Sequence, residues 1–167
     1  MKSVKFKNLT KEQKRLLKAA EKVMETAYNP YSKFFVGAAL LTRDNKIITG
    51  SNVENAAYGS TICAERAAIL RANALGKRCF KSIAIIARGE NFDTKEVTGP
   101  CGACRQVLLE FSQISETDLT VIMSTTKKDK IVVLSGKEKG KRGEVLKSAG
   151  ADKFIISKIN VVKRHQK

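Results

Sequence analysis

Apolar residues follow two different periods in the first part of the chain. Between 11 and 27 they recur every three or four positions, which predicts an amphipathic helix ending before the first proline. The runs 35–41 and 46–52 are rich in apolar and β-branched residues, and the turn-forming pair Asp44 and Asn45 lies between them. This pattern predicts a β-hairpin after the helix.

Helix and strand patterns alternate along the following segment. The alanine-rich run 63–75 predicts a helix with Gly76 as its C-cap. A second helix is expected over 103–111, opened by Pro100. Short apolar runs predict further strands at 83–87, 119–123 and 130–134, with a loop over 91–99. The order of elements indicates an α/β fold with one mixed sheet and helices on its faces.

Three of the four cysteines lie where the two later helices begin. Cys101 and Cys104 are three residues apart, so in a first helical turn they point to a common side and can share one metal ion. Cys63 would complete a set of three thiolates, which helix N-termini favour over thiols. This ligand type favours zinc, and three protein ligands leave the fourth position for water, as in catalytic zinc sites.

The alternative for these cysteines is a closed structural zinc site, or buried thiols that pack as small apolar groups. A closed site needs a fourth protein ligand. Cys79 lies beyond the end of the first alanine-rich helix, and His165, the one histidine, lies close to the chain end. Neither position favours a fourth ligand, so we interpret the cysteines as an open, catalytic site.

Glu65 lies two residues after Cys63, close enough to act at the same site without binding the metal. A carboxylate beside a metal-activated water can accept its proton and deliver protons to a ring nitrogen and a departing amine. Zinc-dependent nucleobase deaminases have this arrangement. Arg66 and Arg105 are the nearest candidates to donate hydrogen bonds to the thiolates, with surface ion pairs as the alternative.

Residues 10–133 resemble the small homotetrameric cytidine deaminases. The resemblance rests on four motifs in chain order: Tyr31-Ser-Lys-Phe-Phe-Val-Gly-Ala-Ala-Leu40, Asn52-Val-Glu-Asn-Ala-Ala-Tyr58, Cys63-Ala-Glu-Arg66 and Pro100-Cys-Gly-Ala-Cys-Arg-Gln106. It implies a three-layer α/β fold with a mixed sheet flanked by helices, one Zn²⁺ per subunit and a homotetramer. The implied reaction is hydrolytic deamination of cytidine or deoxycytidine to the uridine form with release of ammonia. Arg66 and Gln106 would tune the thiolates.

The same resemblance assigns the substrate contacts. Asn52 and Glu54 would hold the ribose hydroxyls, Phe34 would pack against the pyrimidine, and the backbone of Ala64 would meet the base. Without the resemblance, a turn at a strand end remains the alternative for Asn52 and Glu54. Blasticidin deaminases are similar at the cysteines but lack the ribose pattern, and polynucleotide deaminases usually have His-Ala-Glu at 63–65. A free nucleoside is therefore the favoured substrate.

The chain departs from this family after Val133. Residues 131–167 hold 10 basic and 3 acidic residues, a charge of +7 out of the total of +16. They closely resemble the KOW segment of a bacterial large-subunit ribosomal protein, which implies a small β-rich appendage that contacts RNA. Short strands are predicted at 144–147 and 154–159. We expect a catalytic domain over 1–130 and an appendage over 131–167 that is short for independent folding.

The basic appendage supports an alternative function. The protein could be an RNA-binding or ribosome-associated protein whose deaminase part is inactive or acts on bases within RNA, since dense positive charge favours polyanions. The usual C-terminal helix of the family is absent, which bears on both the tetramer and substrate closure. The sequence shows neither an apolar run long enough to span a membrane nor a secretory signal, so a cytoplasmic protein is expected.

Overall fold

The computed structural model describes residues 2–134, 145–148 and 154–156. The chain divides into two compact units, Met1–Ser135 and Gly136–Lys167. Within the described ranges the helices are α1 (Lys11–Met24), α2 (Ala64–Ala74) and α3 (Gly102–Ile114). The strands are β1 (Lys2–Ser3), β2 (Phe34–Thr42), β3 (Ile47–Ser51), β4 (Phe80–Gly89), β5 (Thr120–Thr125), β6 (Ile131–Leu134), β7 (Val145–Ser148) and β8 (Phe154–Ile156).

The first unit contains a mixed sheet with the strand order β1-β6-β5-β4-β2-β3. The predicted hairpin is present as β2 and β3, which pair antiparallel. Strands β4 and β5 are parallel, and α3 forms the crossover between them, as parallel pairing of sequential strands requires. Both the mixed sheet and its flanking helices agree with the fold expected from the sequence.

The two faces of the sheet carry separate apolar cores. On β2, Ala38 and Leu40 pack in one core with Ala68 of α2 and Leu108 of α3, whereas Ala39 packs in the other with α1. Successive side chains of a strand point to opposite faces, so each face receives every second residue. The result is the expected three-layer arrangement, with α1 on one side of the sheet and α2 and α3 on the other.

The helices follow the predicted patterns with small shifts at their ends. Helix α1 opens on a capping box between Thr10 and Gln13. It ends at Met24, three residues earlier than expected, because the chain then turns and the N–H of Tyr28 donates to the carbonyl of Asn52. Gly76 has a φ of 69°, as a C-cap after α2 requires. No helix in the described part of the chain is both long and apolar enough to cross a membrane.

Strand β6 belongs to the sheet of the first unit. It pairs with β5 on one side and with β1 on the other, and Ile131 is fully buried. Four residues that the sequence groups with the appendage are therefore part of the larger unit. In the second unit, β7 and β8 pair antiparallel. The glycine-rich run 136–143 and the end of the predicted strand at 157–159 lie outside the described residues.

Helix α2 lies against β3 where that strand has a glycine. A Cβ atom on Gly50 would be 2.3 Å from the backbone nitrogen of Ala68 and 2.7 Å from the carbonyl oxygen of Ala64. These contacts are with backbone atoms of the helix, which cannot rotate aside. The missing side chain thus allows the first turn of α2 to approach the sheet.

We expect Gly50→Ala to destabilise the fold by about 1–3 kcal/mol, because the added methyl group forces the helix away from the strand. Gly59→Ala is the matched control, since a Cβ there would meet no atom within 4 Å. Urea unfolding of both variants and the parent measures the difference. Equal unfolding midpoints for Gly50→Ala and the parent would contradict this close approach.

Candidate active site

The N-termini of α2 and α3 bring three cysteines together. Cys63 is the N-cap residue of α2, Cys101 is the N-cap residue of α3, and Cys104 follows in the first turn of α3. Their sulfur atoms all lie within 4.8 Å of one another, and those of Cys63 and Cys101 are 3.9 Å apart. Tetrahedral zinc with Zn–S distances of about 2.3 Å places its sulfurs about 3.8 Å apart. The three donors therefore fit a single zinc ion.

The electrostatics of the sulfurs also favour a cation. The backbone N–H of Cys104 donates to the sulfur of Cys101 at 3.5 Å and lowers the pKa of Cys101. Burial raises the pKa of Cys104, and the nearby carboxylate of Glu65 raises it further. A buried thiolate beside a carboxylate needs positive charge close by, which a divalent metal ion supplies.

Arg66 lies against this cluster. Its Nη2 donates to the carbonyl of Thr61 at 2.7 Å and contacts the sulfur of Cys63 at 3.8 Å. The hydrogen bond to Cys63 raises the pKa of Arg66. Arg105 and Gln106 differ, because both are exposed on α3 and their side chains make no hydrogen bond or ion pair with any described residue.

Glu65 is a buried carboxyl group next to the cysteines. It is the second residue of α2 and is only 4% exposed. Burial raises the pKa of Glu65, while hydrogen bonds with its own backbone and with Cys104 act in the opposite direction. Ala64, which precedes it, is fully buried. The structure therefore brings Glu65 and Ala64 to the same helix start as Cys63, as the sequence predicts.

Asn52 follows the last residue of β3, and its side chain forms hydrogen bonds with the backbone of β2. Its Oδ1 accepts from the N–H of Val36 at 2.8 Å, and its Nδ2 donates to the carbonyl of Phe34 at 2.9 Å. The side chain is 7% exposed. One Nδ2 proton is used by Phe34, so a second proton remains for another acceptor.

Glu54 braces the chain just before β2. One oxygen, Oε2, accepts from the N–H groups of Tyr31 at 3.0 Å and Ser32 at 3.2 Å. The hydrogen bond with the Ser32 side chain is the main cause that lowers the pKa of Glu54. Its Oε1 accepts from no backbone N–H among the described residues. Phe34, half-buried at the start of β2, lies directly after this braced segment.

Asn29 is a buried polar residue that the sequence did not suggest. It is 7% exposed, and its Nδ2 has no partner in the described part of the chain. Its carbonyl accepts from the N–H of Lys33, which has a φ of 54°, so it helps to shape the turn before β2. A sequence Asn-Pro is typical of a surface turn, and nothing in it indicates burial. Of the residues considered as a fourth ligand, Cys79 lies outside the cluster and His165 lies outside the described residues.

Fold and cluster together define an α/β protein with three cysteines that could hold one metal ion beside a buried carboxyl group. A family model described as "Cytidine and deoxycytidylate deaminase zinc-binding region" matches residues 10–120. The chain belongs to this zinc-binding deaminase family.

Individual relatives agree with the family. The cytidine deaminase of Halalkalibacterium halodurans is 52% identical over 95 residues, which are 57% of this chain and 68% of that protein. The crystal structure of cytidine deaminase from Burkholderia pseudomallei superposes with a TM-score of 0.65 at 42% identity, covering 76% of this chain and 93% of that one. The large ribosomal subunit protein uL24 of Azotobacter vinelandii is 51% identical over 39 residues, which are 23% of this chain and 38% of that protein.

We expect Asn52→Asp to lower the free energy of unfolding by about 1–3 kcal/mol at neutral pH. The substitution replaces Nδ2, which donates to the carbonyl of Phe34, with an oxygen that cannot donate. Two oxygen atoms would then face each other where the parent has a hydrogen bond. Asn55→Asp is the control, because the exposed Asn55 uses only its Oδ1, as acceptor for the N–H of Ala57. Urea unfolding checks both variants, and an Asn52→Asp variant as stable as the control would contradict the bracing role.

Proposed function

We propose that this chain is a zinc-dependent cytidine deaminase that converts cytidine or deoxycytidine and water to the uridine form and ammonia. The observation that carries the proposal is the convergence of Cys63, Cys101 and Cys104 within 4.8 Å, with the buried Glu65 at the same helix start. The two cytidine deaminases named above, to which the chain is similar, support the substrate.

The three cysteines would hold the zinc ion. When bound, zinc lowers the pKa of a water molecule, so that hydroxide is available near neutral pH. Arg66 contacts the sulfur of Cys63 and would offset part of the negative charge of the thiolates. We assign a similar but weaker influence to Gln106, whose side chain is exposed on α3 two residues after Cys104.

Glu65 would move the protons. It would take the two protons of the attacking water in turn, delivering the first to the pyrimidine nitrogen next to the reacting carbon and the second to the leaving amine, which departs as ammonia. A group with this double task works best when its pKa is near the working pH. Burial shifts the pKa of Glu65 upward, in that direction.

The nucleoside would bind between the start of α2 and the start of β2. The remaining amide proton of Asn52 and the Oε1 of Glu54 are a donor and an acceptor suited to ribose hydroxyls. Phe34 would pack against the pyrimidine. We also assign the buried backbone of Ala64 to a contact with the base, since the first N–H groups of a helix lack partners within it.

Metal analysis and an ultraviolet cytidine assay on the purified protein test site and substrate together. We expect about one zinc per chain and conversion of cytidine. Cys101→Ala should lose both, because two thiolates hold zinc weakly, whereas Glu65→Gln should keep zinc and lose turnover by about 10²- to 10⁴-fold. Cys79→Ala is the matched control and should keep both, since Cys79 lies outside the cluster.

Two results would contradict the assignment. Full zinc content in Cys101→Ala would mean that the metal lies elsewhere. Parental turnover in Glu65→Gln would remove this carboxyl group from the proton transfers.

We also propose assembly into a homotetramer, as in the family that the chain resembles. Within the described residues, large apolar side chains are exposed at Tyr28, Tyr31, Val53, Tyr58, Leu70, Leu75, Phe92, Leu109 and Ile114. Aromatic and apolar side chains are enriched in interfaces between identical subunits. Light scattering should give about four times the chain mass of 18.4 kDa. A fully active monomer would exclude the tetramer.

RNA binding through the basic appendage is the less favoured function. It is supported by the charge of residues 131–167 and by similarity to uL24 over 39 residues. The deaminase family model spans residues 10–120, a much larger part of the chain. We therefore favour an enzyme that acts on a free nucleoside over an RNA-binding protein.

A further inference from the structure

Phe92 lies in the connection between β4 and α3, outside the residues assigned so far. Its side chain is 62% exposed, which is high for a phenylalanine. The ring packs directly over Gly89: a Cβ on that glycine would be 2.1 Å from Cε1 and 2.4 Å from Cζ of Phe92. The ring therefore occupies the space that the side chain of residue 89 would take.

Gly89 is the cross-strand partner of Phe34. The antiparallel register of β2 and β4 pairs Phe34 with Gly89 and Phe35 with Arg88. Side chains of directly opposed residues lie on the same face, with Cβ atoms about 4.5–5.5 Å apart. The Phe92 ring therefore occupies the position next to the Phe34 side chain that the side chain of residue 89 would otherwise take.

This pair lies on the face of the sheet that carries the cysteine helices. Val36, two residues after Phe34, packs in the core shared by α2 and α3. Phe35 points to the opposite face, where it packs in the α1 core and the guanidinium of Arg88 lies 4.4 Å from its ring. By alternation, Phe34 and the missing side chain of Gly89 share the face of the active site.

The turn that carries Phe92 is fastened to the sheet. The N–H of Gly89 donates to the carbonyl of Phe92 at 2.9 Å, and Arg88 and Asp93 form an antiparallel bridge. The Thr94 hydroxyl donates to the carbonyl of Ala87 at 3.3 Å. The backbone that carries the ring is thus held in place before any ligand arrives, which lowers the entropy lost on binding.

We propose that Phe92 is a binding residue that contacts the nucleoside beside Phe34, from the same face of the sheet. This inference rests on the proposed deaminase function and adds a second aromatic ring to its substrate site. An exposed ring gains from covering the flat face of a pyrimidine, and such stacking changes affinity by about 5- to 100-fold on alanine substitution. Phenylalanine has no group that can transfer a proton, so its effect falls on binding.

The test is cytidine kinetics and calorimetric binding of the product uridine to the zinc-loaded protein. Phe92→Ala should raise KM and the uridine Kd by about tenfold, with kcat within about twofold of the parent. This result is expected because the ring would bind the ground state and the transition state equally well. Phe92→Tyr should retain parental values. Leu75→Ala is the control for loss of exposed apolar surface in general: it removes a side chain of similar exposure, 59%, at the far end of α2. Light scattering on both alanine variants shows whether assembly is kept, so that a change in KM can be assigned to the substrate contact.

A double-mutant cycle separates contact with substrate from a structural effect. Gly89→Ala should raise KM by displacing the ring, which can swing outward because it is exposed. In the Phe92→Ala background the same substitution should have no further effect, since no ring is left to displace. If Phe92→Ala loses zinc or stability, Phe92→Leu replaces it, because leucine keeps apolar bulk over Gly89 without a flat ring.

Each other outcome has a defined meaning. Parental KM and uridine affinity in Phe92→Ala overturn this inference while deamination stands. A change of molecular mass at unchanged KM also overturns it and assigns the ring to a contact between copies of the chain. If the parent itself does not deaminate cytidine, the proposed function fails and this inference fails with it.

Discussion

The site depends on two helices that begin at the same place. Cys63 opens α2 and Cys101 opens α3, so three sulfurs and the buried Glu65 meet where backbone N–H groups are unpaired and partially positive. Two features of the sheet make this possible. Gly50 lets α2 rest on β3, and the parallel pairing of β4 and β5 requires a crossover that carries α3 across the same face. A metal ion is the group that compensates so much thiolate and carboxylate charge in a small volume.

The substrate side of the site is built differently, from the ends of strands. The side chains of Asn52 and Glu54 form hydrogen bonds with the backbone of residues 31–36, and each has further hydrogen-bonding capacity. In the proposed function, the same side chains would hold Phe34 in place and bind the ribose diol. Phe92, seated on Gly89, would complete this region from the neighbouring strand. Rigid placement of a few polar groups and rings is what small-molecule sites require.

Much of this could be predicted from the sequence because the signals are local. The i, i+3 spacing of Cys101 and Cys104 and the apolar periods of α1 and β2 depend only on neighbouring residues. The position of Phe92 depends on the register between β2 and β4, which joins residues more than fifty positions apart. Burial of Asn29 is also a tertiary effect. The strand predicted at 130–134 is present as β6, but a domain boundary at 131 assigns it to the basic segment, whereas pairing with β5 makes it part of the sheet.

The central claim is that three sulfurs bind one metal ion and leave one position open. X-ray absorption at the zinc edge of the purified protein measures this directly, because it counts sulfur neighbours and their distance. We expect three sulfurs at about 2.3 Å and one oxygen or nitrogen neighbour at about 2.0 Å. Four sulfurs would indicate a closed structural site, and two or fewer would show that Cys63, Cys101 and Cys104 do not share the ion.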